Sequence, residues 1–280
     1  MSEPAQCSWE EAVRWYRAQP GNEAVVRANY FDLPVREAAE RYAAGEEFAE
    51  VSRLLGVGAG RRVLDLGAGN GIASYALARA GWQVTALEPD PSREVGAGAI
   101  RELQAATGLP IAVVTEVGGR LPFADASFDA VFARQVLHHV PDLPQTMREL
   151  HRLLRPGGAV LAIREHVVRD AAELARFRAT HPLHHLYGGE NAHPLDTYLG
   201  AARTAGFTVR EVWGPLESIL NFFPGTEAGR QRRVRQQVSR RFLGLGRFLA
   251  HRPGFIRATL EAEVRRNPTP GRIHSFLFVK

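Results

Sequence analysis

From Trp9 to Gln19, and again from Arg36 to Leu55, apolar residues recur at the spacing of an amphipathic helix, and Pro20-Gly21 separates the two stretches. The first 60 residues therefore read as a helical cap. At Arg61 the period changes. A β-type run to Leu66 ends in glycines and is followed by a helical pattern from Ile72 to Ala80. Strands then read at Trp82–Leu87, Ile111–Thr115 and Phe128–Ala133, with helices at Arg93–Thr107 and Leu143–Leu154 between and after them. Arg155-Pro156-Gly157-Gly158 makes a turn into a fifth strand, Ala159–Arg164. After an interruption the rhythm resumes with a helix at Leu195–Ala205 and a strand at Phe207–Val212, and Arg272–Val279 supplies a seventh strand. Such alternation predicts an α/β fold, a seven-stranded mostly parallel sheet with helices on both faces. Two segments, about 165–195 and about 215–270, break the rhythm after strands, where loops build substrate pockets. We read them as insertions of a single domain, residues 61–280, that together form a substrate lid.

Composition narrows the class. In 280 residues 45% are hydrophobic, enough for a substantial core. There is no basic leader before an apolar stretch and no run of about 18 apolar residues, so a cytoplasmic protein without a membrane span is expected. The one cysteine, Cys7, excludes an internal disulfide framework and disfavours a thiolate metal site. Net charge is +5, and every basic side chain except Lys280 is arginine. Much of that excess falls between Arg230 and Arg266, which suits a solvated helix surface better than a nucleic-acid face. Nucleic acid is accordingly not the expected partner.

The informative chemistry begins at Val63-Leu-Asp-Leu-Gly-Ala-Gly-Asn-Gly71, between a strand and a helix. Glycines at 67, 69 and 71 let the backbone approach a ligand, and the next helix offers unpaired N–H groups to an anionic group. A dinucleotide fingerprint would need glycine at 72, which is Ile72, and no Walker lysine follows. Glu88 ends the second strand, where a carboxylate can accept hydrogen bonds from both hydroxyls of a ribose.

These residues, with Leu121-Pro-Phe-Ala-Asp-Ala-Ser-Phe-Asp-Ala-Val131, Arg134-Gln-Val-Leu-His-His-Val140 and Leu154-Arg-Pro-Gly-Gly158, resemble the class I S-adenosylmethionine-dependent methyltransferases. Within that superfamily the likeness is to the methyltransferase type 11 group, bacterial small-molecule enzymes near the ubiquinone/menaquinone methyltransferases. It covers roughly Arg61 to Val212 and implies a Rossmann-like fold and S-adenosyl-L-methionine as cofactor. It further implies that Asp65, Gly67 and Gly69 surround the methionine part, that Glu88 holds the ribose, that Arg134 and Gln135 lie beside the sulfonium, and that Ala68, Asn70 and Pro89 also contact the cofactor. Where relatives place an acid for the adenine amino group this chain has Val117, with Glu116 one step earlier. Either Glu116 substitutes or a backbone carbonyl accepts that hydrogen bond.

Methyl transfer from a sulfonium is an in-line displacement, so the protein must chiefly align donor and acceptor and exclude water. A hydroxyl acceptor also needs a base, and histidine is the usual one. His138 and His139 follow the fourth strand at the cofactor edge, and His166 opens the first insertion. That insertion also carries His181-Pro-Leu-His184-His185-Leu-Tyr187-Gly-Gly-Glu190-Asn-Ala-His193. We expect His139, His138 or His166 to act as base and His181, His184, His185, Tyr187, Glu190 and His193 to line an acceptor pocket. Packing of a loop is the second reading. A metal is the third, because Pro182 within His181-Pro-Leu-His184-His185 opposes the continuous helix on which a helical zinc motif sets its ligands. The apolar segment Ser218–Pro224 is expected to face the same cleft.

The expected activity is methyl transfer to a hydroxyl or other heteroatom of a small metabolite or sugar-containing compound. Two alternatives stay open: an RNA methyltransferase that uses the arginine-rich insertion, and a non-catalytic module that binds S-adenosylmethionine. Oligomeric state is not legible.

Overall fold

The computed structural model describes residues 7–222, 224–241, 252–266 and 269–280. The cap comprises α1 (Trp9–Ala18), α2 (Glu23–Ala28), α3 (Val35–Ala43) and α4 (Glu46–Leu55). The expected single helix over 36–55 is two helices, because the chain turns out of helical geometry at Gly45. A capping box between Ser8 and Glu11 starts α1 by satisfying two backbone N–H groups that the helix itself cannot.

The sheet then runs β1 (Arg62–Leu66), β2 (Gln83–Leu87), β3 (Ile111–Val114), β4 (Phe128–Arg134), β5 (Leu154–Val168), β6 (His193–Pro194), β7 (Thr208–Trp213) and β8 (Arg272–Val279). Between strands lie α5 (Ile72–Arg79), α6 (Ala97–Thr107), α7 (Leu143–Leu153), α8 (Ala171–Thr180), α9 (His184–Tyr187) and α10 (Leu195–Thr204). The strand order is β3-β2-β1-β4-β5-β8-β7, with the two-residue β6 pairing parallel to the end of β5. Only β8 runs antiparallel to its neighbours. Seven strands were expected, and the eighth is this short β6, which has too few residues to show a period. β5 also extends well beyond the expected Ala159–Arg164, because its continuation pairs with β6 and β8.

Period-two alternation explains the layering. Ala130 and Phe132 of β4, with Leu161 and Ile163 of β5, face a core shared with α3 and α5. Their neighbours Val131, Ala133, Val160 and Ala162 face a second core with α7 and α10. Chain direction across the sheet reverses between β1 and β4, so their carboxyl ends border the crevice where ligands bind in such folds.

Two helices of the second insertion pack against each other. Val234 and Val238 of α11 (Glu227–Arg241) meet Leu260 of the helix Pro253–Arg266. Residues 223, 242–251 and 267–268 of this insertion, Phe223 of the apolar segment included, lie outside the described residues.

Candidate functional site

At the carboxyl ends of β1 and β4 opens a cavity of about 1030 Å³. One wall is the glycine loop. Gly67 holds φ +61° and is packed so closely that an added Cβ would stand 2.7 Å and 2.8 Å from the two methyl carbons of Val136. Asp65, at the end of β1, is buried and accepts a 2.6 Å hydrogen bond from the Ser74 hydroxyl. Burial pushes its carboxyl up to about 7, against the opposing pull of Ser74. Glu88 accepts the Gly69 N–H at 2.7 Å and the Asp90 N–H at 2.9 Å, one on each oxygen. Its pKa is raised by burial. Asn70 donates to the Tyr30 carbonyl at 2.8 Å, fastening the loop to the cap.

Of the residues expected to hold cofactor, Asp65, Gly67, Ala68, Gly69, Asn70, Glu88, Pro89, Arg134 and Gln135 all line the cavity. Glu116 does not. It is exposed in the loop after β3, while Val117, Gly118 and Gly119 form the rim. Arg134 is fixed by a 2.8 Å bond to the buried Glu47 of α4, which also accepts from Arg164 at 3.4 Å. Its guanidinium stacks 5.4 Å and 5.7 Å from the Tyr30 and Tyr42 ring centres. Its Nη2 is buried without a hydrogen-bond partner among the described residues.

The opposite wall carries the histidines. His138 is 1% exposed, and its Nδ1 lies 2.6 Å from Oε2 of Glu165. Glu165, wholly buried, also accepts the N–H groups of Val136, Leu137 and His138 at 3.1, 3.1 and 3.0 Å. Three backbone N–H groups directed at its two oxygens favour the carboxylate although burial pushes its pKa up, and a carboxylate makes the His138 Nδ1 the donor. Burial holds the His138 pKa well below its ordinary value, so the ring is neutral with its proton on Nδ1 and a lone pair on Nε2. The same logic applies to His166. Its Nδ1 donates to the Gly271 carbonyl at 2.9 Å, and burial lowers its pKa to about 4. His139 is exposed and bonds the Gly189 carbonyl at 3.0 Å. Both kinds of ring, anchored through one nitrogen, can accept a proton or a ligand at the other.

His181, Tyr187 and Glu190 join His138, His139 and His166 at this wall. The Tyr187 hydroxyl donates to Glu190 Oε1 at 2.7 Å, and His181 Nδ1 stands 3.8 Å from the same oxygen. Three expected pocket residues are elsewhere. His184 and His185 sit on α9 and turn away from the cavity, His185 bonding the Ala179 carbonyl. His193 packs in β6 against the Tyr198 ring. No described residue of the second insertion lines the cavity. Ile219 and Leu220 of its apolar segment are buried in the body of the fold.

The lid over this cavity includes residues that sequence reasoning missed. Trp9, Tyr16, Asn29 and Phe31 of the cap line it. Trp9 packs edge-on against Tyr187 at 4.8 Å and Phe31 at 5.7 Å, and the Cys7 N–H reaches the Leu186 carbonyl at 3.2 Å. The amphipathic pattern of α1 signals a buried face without saying what it covers.

Residues 64–162 match the family described as methyltransferase domain. The matched segment runs from β1 into β5 and carries the glycine loop, Glu88 and Arg134. The chain is 32% identical over 183 residues to methyltransferase GfsG of Streptomyces halstedii, covering 64% of this chain and 62% of that one. To an uncharacterized methyltransferase of Mycobacterium sp. (strain JLS) it is 43% identical over 104 residues, 37% of this chain and 38% of the relative. The chain thus spans less than two thirds of the length of these curated relatives. Among solved structures, an S-adenosylmethionine dependent methyltransferase from Mesorhizobium loti superposes with a TM-score of 0.55 at 17% identity, over 85% of this chain and all of that one. No described helix is long and apolar enough to cross a membrane.

Proposed function

We propose that this chain transfers the methyl group of S-adenosylmethionine to a hydroxyl or other heteroatom of a small-molecule acceptor, with His138 as the base. The observation that carries this reading is one continuous cavity bounded by the glycine loop and Glu88 on one side and by the His138–Glu165 pair on the other. Its volume lies at the upper end of the range for single small-molecule sites, about 300–1,000 Å³, which suits a donor and an acceptor side by side. In this account Asp65 and the loop Gly67–Asn70 hold the methionine part, and Glu88 with Pro89 holds the ribose. Arg134 carries a guanidinium that would repel the sulfonium, so we assign its unpartnered Nη2 to the methionine carboxylate. A backbone group at Val117–Gly119 takes the place of Glu116 at the adenine edge.

The cap and the Tyr187–Glu190 segment exclude water, and Glu165 fixes the His138 tautomer so that Nε2 can take the acceptor proton as the carbon–oxygen bond forms. The RNA reading has no support from the cavity, because no described residue of α11 lines it.

The test is incubation with methyl-labelled S-adenosylmethionine and a panel of hydroxylated and glycosylated metabolites, with and without RNA. Label in a small molecule, lost in His138→Ala while cofactor affinity is kept, supports the proposal. Label confined to RNA, or bound cofactor that is never turned over with any acceptor, contradicts it.

A further inference from the structure

We infer that His166, His181 and Glu190 form a binding site for one divalent cation of the zinc class. One ligand atom from each of these side chains lies within 4.8 Å of the others. Three independent features favour an ion there.

Glu190 is 6% exposed, and no arginine or lysine among the described residues lies within 4.0 Å of its carboxylate. A buried carboxylate supported by one tyrosine hydroxyl and imidazoles is costly unless a positive charge offsets it. His181 Nδ1, 3.8 Å from Glu190 Oε1, is buried without a hydrogen-bond partner. An orphaned buried nitrogen costs on the order of 1–3 kcal/mol, which a metal bond removes. His166 has Nδ1 committed to the Gly271 carbonyl, so its lone pair is on Nε2. A ring anchored through one nitrogen to a carbonyl, with the other nitrogen free, is how proteins orient metal-ligating histidines. Tyr187 does the same for the carboxylate.

The donor set decides the ion. Two imidazoles and one carboxylate form the three-ligand set of a catalytic zinc site with one position open, whereas magnesium and calcium prefer all-oxygen shells. A tetrahedral ion with bonds of about 2.0–2.1 Å needs ligand atoms roughly 3.3 Å apart, so His181 and Glu190 need draw together only slightly. His138 and His139 also lie within reach of Glu190, but the vacant buried nitrogen belongs to His181, and this places the ion on the His166 side. A local motif search misses the set because its members come from β5, the end of α8 and the loop after α9. At the open position the ion would hold an acceptor oxygen and lower its pKa, the His138 base remaining adjacent. That role rests on the methyl-transfer reading, whereas cation binding itself does not.

The experiment uses chelator-stripped full-length protein carrying Cys7→Ser, titrated calorimetrically with zinc chloride without cofactor or acceptor. His181→Ala and Glu190→Gln are compared, and retained S-adenosylhomocysteine binding certifies their fold. We expect one zinc per chain and at least a 100-fold loss of affinity in each variant, since even outer-shell losses cost 10–100-fold. Cobalt added to the unsubstituted site should give the intense visible bands of a four- or five-coordinate ion. Absence of zinc binding, wild-type affinity in either folded variant, or a weak six-coordinate cobalt spectrum would overturn the assignment.

Discussion

Replacing Glu165 by glutamine tests the proton-transfer machinery without needing the acceptor. The carboxylate takes two backbone N–H groups on Oε1 and the His138 N–H and Nδ1 on Oε2. Glutamine has one acceptor oxygen, and keeping it beside Val136 and Leu137 turns its NH2 group toward two donors of His138. The ring relieves its half of that conflict by moving its proton from Nδ1 to Nε2. The backbone N–H of His138 has no such escape and loses its partner, at a cost of roughly 1–3 kcal/mol. Thermal unfolding should therefore shift down by that amount while S-adenosylhomocysteine affinity is kept, because the Gly67 loop and Glu88 are untouched. Nitrogen NMR of histidine-labelled protein should show a non-protonated Nε2 at His138 in the wild type and a protonated one in Glu165→Gln. With an acceptor in hand, turnover should fall by the roughly 10²–10⁴-fold that a positioned base contributes. The same His138 tautomer in both proteins would refute the reasoning, as would full turnover in the variant.

Two further substitutions probe the donor side. Gly67→Ala places a methyl against the stiff, branched Val136 at a φ of +61°, so a stability loss of about 2–4 kcal/mol and a weakened cofactor complex are expected by chemical denaturation and titration. Asp65 has its folded-state pKa raised from 3.8 to about 7, so the native state holds a proton that the unfolded chain releases, and stability falls as pH rises from about 4 to about 7. Three pH units bound that loss at about 4 kcal/mol. Asp65→Asn should remove the slope, and identical pH–stability curves for the two proteins would contradict the assignment.

What the sequence disclosed and what it withheld follow from the range of the interactions. Strand and helix periods, and a glycine loop between β1 and α5, are local, so the sheet and the cofactor-side lining were legible. The expected pocket residues His184 and His185 failed because neighbours on a helical turn point to different sides, so a cluster in sequence need not be a cluster in space. Glu116 lies in the loop after β3 and does not line the cavity, whereas its neighbour Val117 does. Trp9, Phe31 and Glu47 were invisible as site residues because only tertiary packing brings the cap over the cavity. Glu165 stood beside His166 in the sequence, yet its partner proved to be His138, just after the neighbouring strand β4.

The most direct measurement for the central claim is calorimetric titration of the wild type and of Glu88→Ala with S-adenosylmethionine and S-adenosylhomocysteine. A carboxylate has about four acceptor sites, and Glu88 commits two of them to Gly69 and Asp90, which leaves two for ribose hydroxyls. Both ligands should bind the wild type at one per chain, and Glu88→Ala should weaken each by at least about 100-fold through the loss of two charge-assisted hydrogen bonds. A wild type that binds neither ligand, or a variant that binds both as tightly, would contradict the account.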